Sequence, residues 1–456
     1  MKVELTPEIL RVPLTEMCLN ILVDQLNLIE NKKNRKTPAE YLLMALDPPD
    51  TKSIHSALTT LEEVGAITTI VIDKSGNGSN GRNGRNGRNN GRTSSSSSAL
   101  SSSFATPGTT TDTSTMEEKN RTINNIRIEP LGFLLAQIPA DVRIAKILIV
   151  ASIMKCLRPA LIIAASLSHK TPFVTPMEKR TEAKLARRSF HLNESNVTHQ
   201  QPTRSDHLAI IKAYEEFSLK ISNTNSNNGN SNKRRNSTSF IKNWCHTKFL
   251  SYTILYNMKS TISEFEGYLS KMNFLTTENY NETMHKHSTK IFVILASLAS
   301  GLWPNVATIT KSNTSHGLPI ISIKNRIAAI HPSSINYNVS TELLLKNTTC
   351  KTNGFLCYHD LMQTSKCYLR DTSIVSVTAI LLLCGNGSDA FVAFGKQHVI
   401  VNGWLKVKIT SKAAVLLSKL RERLDMFLLQ KIRNPKMKNT KEYNDLTKMM
   451  VRLLEV

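Results

Sequence analysis

The sequence predicts a multidomain α+β protein in which a winged-helix unit, a helical bundle, a small β-barrel and a C-terminal helix follow one another. Apolar residues recur at helical spacing over most of the first 285 residues, and short β-branched segments crowd the chain from about residue 291 onward. Low-complexity tracts interrupt the helical part. A chain of 456 residues is long enough for about two to four such domains.

Residues 1–130 are predicted to form the winged-helix domain. Three segments have helical spacing, and the second opens with the capping box Thr37–Glu40 (Thr-Pro-Ala-Glu). Ala66–Ile72 is β-branched and is predicted to pair with Ile123–Ile128 in a two-stranded wing. Between them, residues 74–120 are rich in Asn, Gly, Arg and Ser, so we expect a disordered insertion.

Residues 131–285 are predicted to form the helical bundle, with polar insertions at 177–204 and 223–239. Residues 286–408 are predicted to form the small barrel, because short β-like segments follow one another there. These segments are Val306–Thr310, Ile320–Ile323, Ala328–Ile330, Gly354–Tyr358, Lys366–Leu369, Ile374–Val377 and Ala379–Leu383. Residues 409–456 are predicted to form a basic helical extension with a helix over Ser411–Ile432.

The chain is strongly basic, with 58 Lys and Arg against 35 Asp and Glu and a formal net charge of +23. Such an excess predicts a polyanionic partner, with nucleic acid favoured over an anionic membrane surface or an acidic protein. No signal peptide and no apolar run of membrane-spanning length is present, which predicts a soluble intracellular protein, cytoplasmic or nuclear, without a membrane partner. Seven Cys without a Cys-x-x-Cys pair predict buried free thiols and no metal.

No catalytic residue is predicted. The chain contains no Gly-x-x-x-x-Gly-Lys-[Ser/Thr] loop, no Asp-Glu pair and no Gly-x-Ser-x-Gly elbow. Gly385–Ser388 (Gly-Asn-Gly-Ser) is interpreted as a hairpin turn and not as a phosphate loop, because no amphipathic helix follows it.

Several ordered segments resemble the C-terminal half of DEAH-box ATP-dependent RNA helicases. They are Leu46–Pro49, Pro130–Ala136, Pro139–Lys146, Pro172–Pro176, Ser205–Ala209, His331–Ser334 and Thr364–Asp371. The resemblance implies that the bundle is a ratchet-like helicase-associated domain and that the barrel is an oligonucleotide-binding (OB) fold. The resemblance includes no counterpart of the two RecA-like motor domains. The chain is therefore interpreted as a fragment, a truncated gene model or one subunit of a split system. No autonomous ATPase activity and no cofactor are expected, since ATP and Mg²⁺ belong to the family's motor domains.

The resemblance further implies that the chain clamps single-stranded RNA. It makes Lys366 and Arg370 candidates for phosphate contact, Ser365 and Thr372 candidate hydroxyl donors, and Ser333 and Ser334 further candidates. An internal ion pair between Arg370 and Asp371 that shapes a turn is an equal alternative. As functions, a non-enzymatic adaptor that contacts a ribonucleoprotein or a helicase partner, and a DNA-binding winged-helix regulator, remain open. Helicase-activating proteins are possible partners.

Asp141, Arg143 and Lys146 stand at the start of the predicted helicase-associated domain. They are expected either to line the RNA channel or to form salt links between domains, and the links are favoured. Trp244 and Trp303 are expected in cores or interfaces rather than as base-stacking platforms.

Overall fold

Helices dominate the N-terminal two-thirds of the structure and most strands lie after residue 305, so the predicted α+β class with several units is confirmed. The structure is a computed structural model. It describes residues 7–28, 35–70, 122–123, 125–191, 204–226, 231–311, 317–324, 326–345, 353–385, 391–394, 398–437 and 440–455.

Three helices and three short strands make up the described part of the N-terminal unit. They are α1 (Thr15–Leu28), α2 (Pro38–Leu42), α3 (Thr51–Val64), β1 (Ile67–Thr69), β2 (Thr122–Ile123) and β3 (Ile126–Ile128). The capping box is present, with Thr37 and Glu40 exchanging side-chain and backbone hydrogen bonds. The predicted two-stranded wing is wrong in detail, because a turn at Asn125 divides its second strand and the sheet has the order β1-β3-β2. The predicted insertion 74–120 lies outside the described residues.

Nine helices are described between residues 130 and 302. They are α4 (Pro130–Leu135), α5 (Val142–Ile153), α6 (Leu157–Leu167), α7 (Arg180–His191), α8 (Asp206–Ser226), α9 (Ser231–Thr247), α10 (Tyr252–Lys271), α11 (Tyr280–His285) and α12 (Ile291–Leu302). Helices α5 and α12 are buried on nearly all sides and pack on each other at the centre of the core. Helix α7 lies inside the tract 177–204 that the sequence suggested was an insertion.

Five strands close into a barrel in the order β4-β5-β6-β8-β7, with β6 and β8 as its parallel pair. The strands are β4 (Val306–Thr310), β5 (Ile320–Ile323), β6 (Arg326–Ile330), β7 (Asn353–Gln363) and β8 (Cys367–Val375), and the short helix α13 (Thr341–Leu345) lies between β6 and β7. Two predicted strands, Lys366–Leu369 and Ile374–Val377, therefore belong mainly to the single strand β8.

The predicted strand Ala379–Leu383 is wrong, because these residues belong to helix α14 (Val377–Leu383). Ser376 caps the helix by accepting a hydrogen bond from the Ala379 amide at 3.1 Å. A short apolar run that is buried on several sides lacks the periodicity that separates helix from strand.

Three further strands form a second sheet after the barrel, with the order β9-β10-β11. They are β9 (Phe391–Phe394), β10 (His398–Val401) and β11 (Leu405–Lys408), and the helices α15 (Ser411–Arg433) and α16 (Lys441–Glu455) follow. The barrel strands end at Val375, so this sheet lies outside the barrel although the predicted barrel segment extends to residue 408. Trp404 stacks on the fully buried Trp303, with ring centroids 5.5 Å apart, which joins the second sheet to the start of the barrel.

Five of the described cysteines are buried, which fits the predicted buried thiols; they are Cys18, Cys156, Cys245, Cys357 and Cys384. In the part of the chain that the structure describes, no group of three or more His, Cys, Asp or Glu residues is arranged to hold a metal ion. None of the helices described is both long enough and apolar enough to span a bilayer.

Lys146 connects the N-terminal unit to the helical bundle. Its ammonium group is buried and donates a hydrogen bond to the Val64 carbonyl at the end of α3, at 2.7 Å. The expected link between domains is therefore a hydrogen bond at Lys146, whereas Arg143 pairs locally with Asp141 at 2.8 Å. Burial lowers the pKa of Lys146 to about 8, because desolvation disfavours the charged amine.

This lowered pKa predicts that the free energy of unfolding rises between about pH 8 and pH 10.5, because the unfolded chain binds more protons at Lys146 there than the folded chain does. The gain should be on the order of 2–3 kcal/mol at most. Urea unfolding at about pH 7.5 and about pH 10, for the wild type and Lys146→Met, measures it. Equal pH dependence in the two proteins would refute this assignment.

Candidate nucleic-acid interface

A buried carboxylate joins the helical bundle to the barrel. Asp206 is the first residue of α8 and is fully buried. Its Oδ2 accepts hydrogen bonds from the Ser334 hydroxyl at 2.6 Å and the Thr372 amide at 2.9 Å, and its Oδ1 accepts one from the Ile335 amide at 2.9 Å. The Arg187 guanidinium of α7 lies 3.0 Å from Oδ1. These five residues are called the Asp206 cluster below.

The Asp206 cluster engages the hydroxyl groups of two predicted RNA-binding residues in internal hydrogen bonds. Ser334 and Thr372 are buried, and both hydroxyls donate to Asp206. The Asn336 amide group also donates to the Thr372 hydroxyl at 2.9 Å. In this structure neither hydroxyl is free to contact an RNA phosphate, and both instead hold the barrel to α8.

A second set of buried hydrogen bonds extends the junction. The Ser205 and Ser373 hydroxyls are 2.6 Å apart, and the His207 Nδ1 lies 2.6 Å from the Ser373 hydroxyl. Burial lowers the pKa of His207 to about 4, so its ring is neutral at physiological pH. His207 therefore has a structural role at this junction.

The outer face of β8 presents the exposed candidates. Ser365 and Lys366 lie in the exposed turn before the strand, and Arg370 is half-buried four residues further on. Because side chains alternate along a strand, Tyr368 and Arg370 share the outer face of β8 while Leu369 is buried inside the barrel. Lys366 lies in the exposed turn that precedes this face. The face and the turn before it therefore offer one aromatic ring and two cations, the combination that oligonucleotide-binding folds use for single strands.

His331 extends this face towards the next loop. Its ring meets the Tyr368 ring edge-on, with centroids 5.9 Å apart. Its Nδ1 lies 2.8 Å from the Ser333 hydroxyl. The predicted contact residue Ser333 thus borders the β8 face, although its hydroxyl already has His331 as a partner.

Arg370 also borders a groove of about 610 Å³ between the barrel and the bundle, called the junction groove below. Its lining residues are Ser166, Leu167, His169, Lys170, Thr171, Phe173, Val174, Thr175, Ile210, Ile254, His359, Asp360, Arg370 and Asp371. The Asp371 carboxylate pairs with Arg187 at 3.4 Å. The alternative ion pair between Arg370 and Asp371 is therefore not the one that the structure shows. Arg370 lies opposite Asp360 in the strand register and keeps its guanidinium at the groove.

Sequence reasoning missed three residues of this region. Tyr368 stands between Lys366 and Arg370 at strand spacing, so the period of two could have identified it. Lys170 lies in the loop after α6 and lines the junction groove. Arg187 falls within the polar tract 177–204, where nothing in the sequence distinguishes it from its charged neighbours.

Comparison with known families now gives the class of protein. The model "Helicase associated domain (HA2), ratchet-like" matches residues 141–210, the "Oligonucleotide/oligosaccharide-binding (OB)-fold" model matches 294–387, and "C-terminal domain in RNA helicases" matches 397–456. The Asp206 cluster connects the first of these regions to the second. These three matches, in this order along the chain, support a C-terminal region of a DEAH-box RNA helicase.

Curated relatives agree with this class. The chain is 26% identical over 443 residues to ATP-dependent RNA helicase DHX29 of Homo sapiens, a match that covers 94% of the chain and 25% of that protein. It is 26% identical over 448 residues to DExH-box ATP-dependent RNA helicase DExH1 of Arabidopsis thaliana, covering 98% of the chain and 35% of that protein. ATP-dependent DNA/RNA helicase DHX36 of Homo sapiens is also 26% identical, over 435 residues, covering 94% of the chain and 33% of that protein. The chain thus spans about a quarter to a third of the length of these relatives.

Proposed function

We propose that the chain is the RNA-binding and regulatory C-terminal module of an ATP-dependent RNA helicase, which holds single-stranded RNA while a motor outside this chain hydrolyses ATP and unwinds. The observation that carries the proposal is the outer face of β8. Tyr368 and Arg370 lie on this face and Lys366 lies in the exposed turn before it, all within the part of the chain that matches the OB-fold model.

The chemistry of this face suits single-stranded RNA that is bound without sequence preference. Lys366 lies in the turn before β8 and Arg370 lies within the strand, so the two cations are placed to meet different phosphates. Tyr368 offers a ring between them, and bases of any identity stack on such rings. The junction groove adds Lys170 beside Arg370 and gives the strand a path along the bundle.

The N-terminal unit is proposed to be a winged helix that packs against the motor. Its α2 region exposes Tyr41, Leu43, Met44 and Leu46, and Leu46 is fully exposed. A group of large apolar side chains on the surface is typical of an interaction site. A neighbouring motor domain is the partner that the family membership supports.

The alternative of a DNA-binding winged helix has less support. Helix α3 would have to enter the major groove, but it carries Glu62 and Glu63 at its C-terminal end. Glu63 pairs with Lys324 of the barrel at 2.8 Å. An acidic helix that is already docked on a neighbouring unit is a poor major-groove reader.

Titration of the full chain with a fluorescent oligouridylate at several salt concentrations tests the proposal. The variant Lys366→Ala/Arg370→Ala is expected to bind about tenfold more weakly and to reduce the log–log salt slope by about 1.4, because each lost phosphate contact removes about 0.7. The matched control Lys52→Ala/Lys271→Ala removes the same charge from α3 and α10 and should change the slope much less.

Four outcomes would count against the proposed function. If the wild type did not bind the oligouridylate, or bound it with a flat salt response, RNA clamping would be excluded. Stronger competition by duplex DNA would favour the winged-helix regulator, and partner capture that survives nuclease treatment in a chain without RNA affinity would favour the adaptor.

A further inference from the structure

A second basic site lies between α7 and the loop after β6. A pocket of about 270 Å³ opens there, and Lys184, Arg187 and Arg188 of α7 face Ser333, Tyr337 and Asn338 across it. No acidic residue is among its lining residues. The pocket lies within the tract 177–204 and the adjoining barrel loop, and the proposed function does not use α7.

Within the described residues, the positive charge of this pocket is compensated only in part. Arg187 is neutralised by Asp206 and Asp371. Among the residues that the structure describes, neither Lys184 nor Arg188 has an acidic partner within 4.0 Å. Two half-buried cations at a concave surface without a counter-charge favour an anionic ligand.

Arg187 provides a fixed donor in the wall of the pocket. Its Nη1 donates to the Ser333 carbonyl at 2.9 Å, and its guanidinium lies over the Phe173 ring at 4.7 Å. Its buried Nε has no hydrogen-bond partner among the described residues. A buried N–H without a partner is uncommon in folded proteins, and here it belongs to a side chain that already lines the pocket.

The neighbouring aromatic ring points to a nucleotide. Tyr337 is 37% exposed, and the Lys184 ammonium lies 5.0 Å from its ring centroid. A cation for the phosphate and a ring for the base therefore lie within reach of one nucleotide.

The pocket also continues the β8 face. Tyr368 contacts His331, His331 contacts the Ser333 hydroxyl, and Ser333 lines the pocket. A strand that leaves Tyr368 therefore reaches the pocket across two neighbouring side chains. This continuity favours RNA over a phosphorylated peptide, which would have no reason to follow the β8 face.

We propose that this pocket binds one phosphate group of a single-stranded RNA through Lys184 and Arg188, with the adjoining base against Tyr337. The inference rests on the proposed function and extends it, because it assigns α7 as a second contact point for the same strand. Arg187 has a structural role here, since its contacts with Asp206 and the Ser333 carbonyl connect the pocket to the Asp206 cluster.

The full chain with the variant Lys184→Ala/Arg188→Ala tests the pocket in the same oligouridylate titration. We expect about tenfold weaker binding and a salt slope reduced by about 1.4. The matched control is Lys179→Ala/Arg180→Ala, which removes two exposed cations at the start of the same helical segment, outside the pocket. Urea midpoints close to that of the wild type confirm that all of these proteins fold.

Tyr337→Ala separates stacking from charge. It should weaken binding at least about fivefold, corresponding to about 1 kcal/mol of lost stacking, and leave the salt slope unchanged. If the oligouridylate binds the wild type but Lys184→Ala/Arg188→Ala behaves like its control, the pocket proposal is overturned while the proposed function stands. If the wild type does not bind at all, both fail.

Discussion

Asp206→Ala is expected to lower the free energy of unfolding by about 3–5 kcal/mol, since it removes the closer and fully buried partner of the Arg187 charge and leaves only the longer contact to Asp371. Both side chains are almost inaccessible, with exposed fractions of 0% for Asp206 and 6% for Arg187. The change also leaves the Ile335 and Thr372 amides without their acceptor. Buried donors that lose an acceptor bear their full desolvation cost.

Urea unfolding of three variants measures this effect. Arg187→Met alone removes the buried positive charge, and Asp206→Ala/Arg187→Met removes both members of the ion pair. The double variant should be less destabilised than the sum of the two single changes, because the unpaired charge no longer exists. A loss below about 1 kcal/mol for Asp206→Ala, or strict additivity, would contradict the role assigned to the cluster.

The cluster matters for function because both proposed RNA contacts depend on it. Arg187 contacts Asp371 at the junction groove. It also donates to the Ser333 carbonyl at the pocket between α7 and the loop after β6. Ser334 and Thr372 fix the loop after β6 and the end of β8 on the same carboxylate. One buried anion thus sets the relative position of the junction groove and the pocket beside α7.

The sequence was sufficient where local signals decide the structure. The capping box at Thr37 predicts the start of α2, and the apolar stripe from Ser411 predicts α15 to within one residue of its end. The signals were insufficient where burial on several sides hides periodicity, as in Ala379–Leu383, which is helical. The residue pattern also did not predict the turn at Asn125 that divides the second wing strand.

The candidate site divides in the same way. Ser365 and Lys366 are exposed, in a turn before β8, although the sequence predicted a strand from Lys366 onward. Ser334 and Thr372 are polar as well, yet both are buried, because Asp206 at the start of α8 accepts hydrogen bonds from their hydroxyls. Whether a hydroxyl faces solvent depends on which distant segment docks on it, and α8 lies more than 100 residues before these positions in the chain.

Gly301→Ala is expected to destabilise the chain by about 3 kcal/mol, because α12 approaches the backbone of α5 at this position. A Cβ atom on Gly301 would lie 2.7 Å from the Ile147 nitrogen and 2.9 Å from the Ile147 Cα. These are main-chain atoms of a helix that is itself buried on nearly all sides. No change of rotamer relieves such a contact, so the two helices must separate and their shared core must open.

Gly267→Ala is the matched control. Gly267 lies in the middle of α10, where an added Cβ meets nothing within 4 Å, so the change should raise the free energy of unfolding by about 0.5–1 kcal/mol through the higher helix propensity of alanine. Parallel urea titrations should therefore shift the two midpoints in opposite directions. Because both changes are the same substitution inside a helix, a loss confined to Gly301 can only come from the close approach of α12 to α5. Equal shifts would show that these helices do not meet as the structure has them.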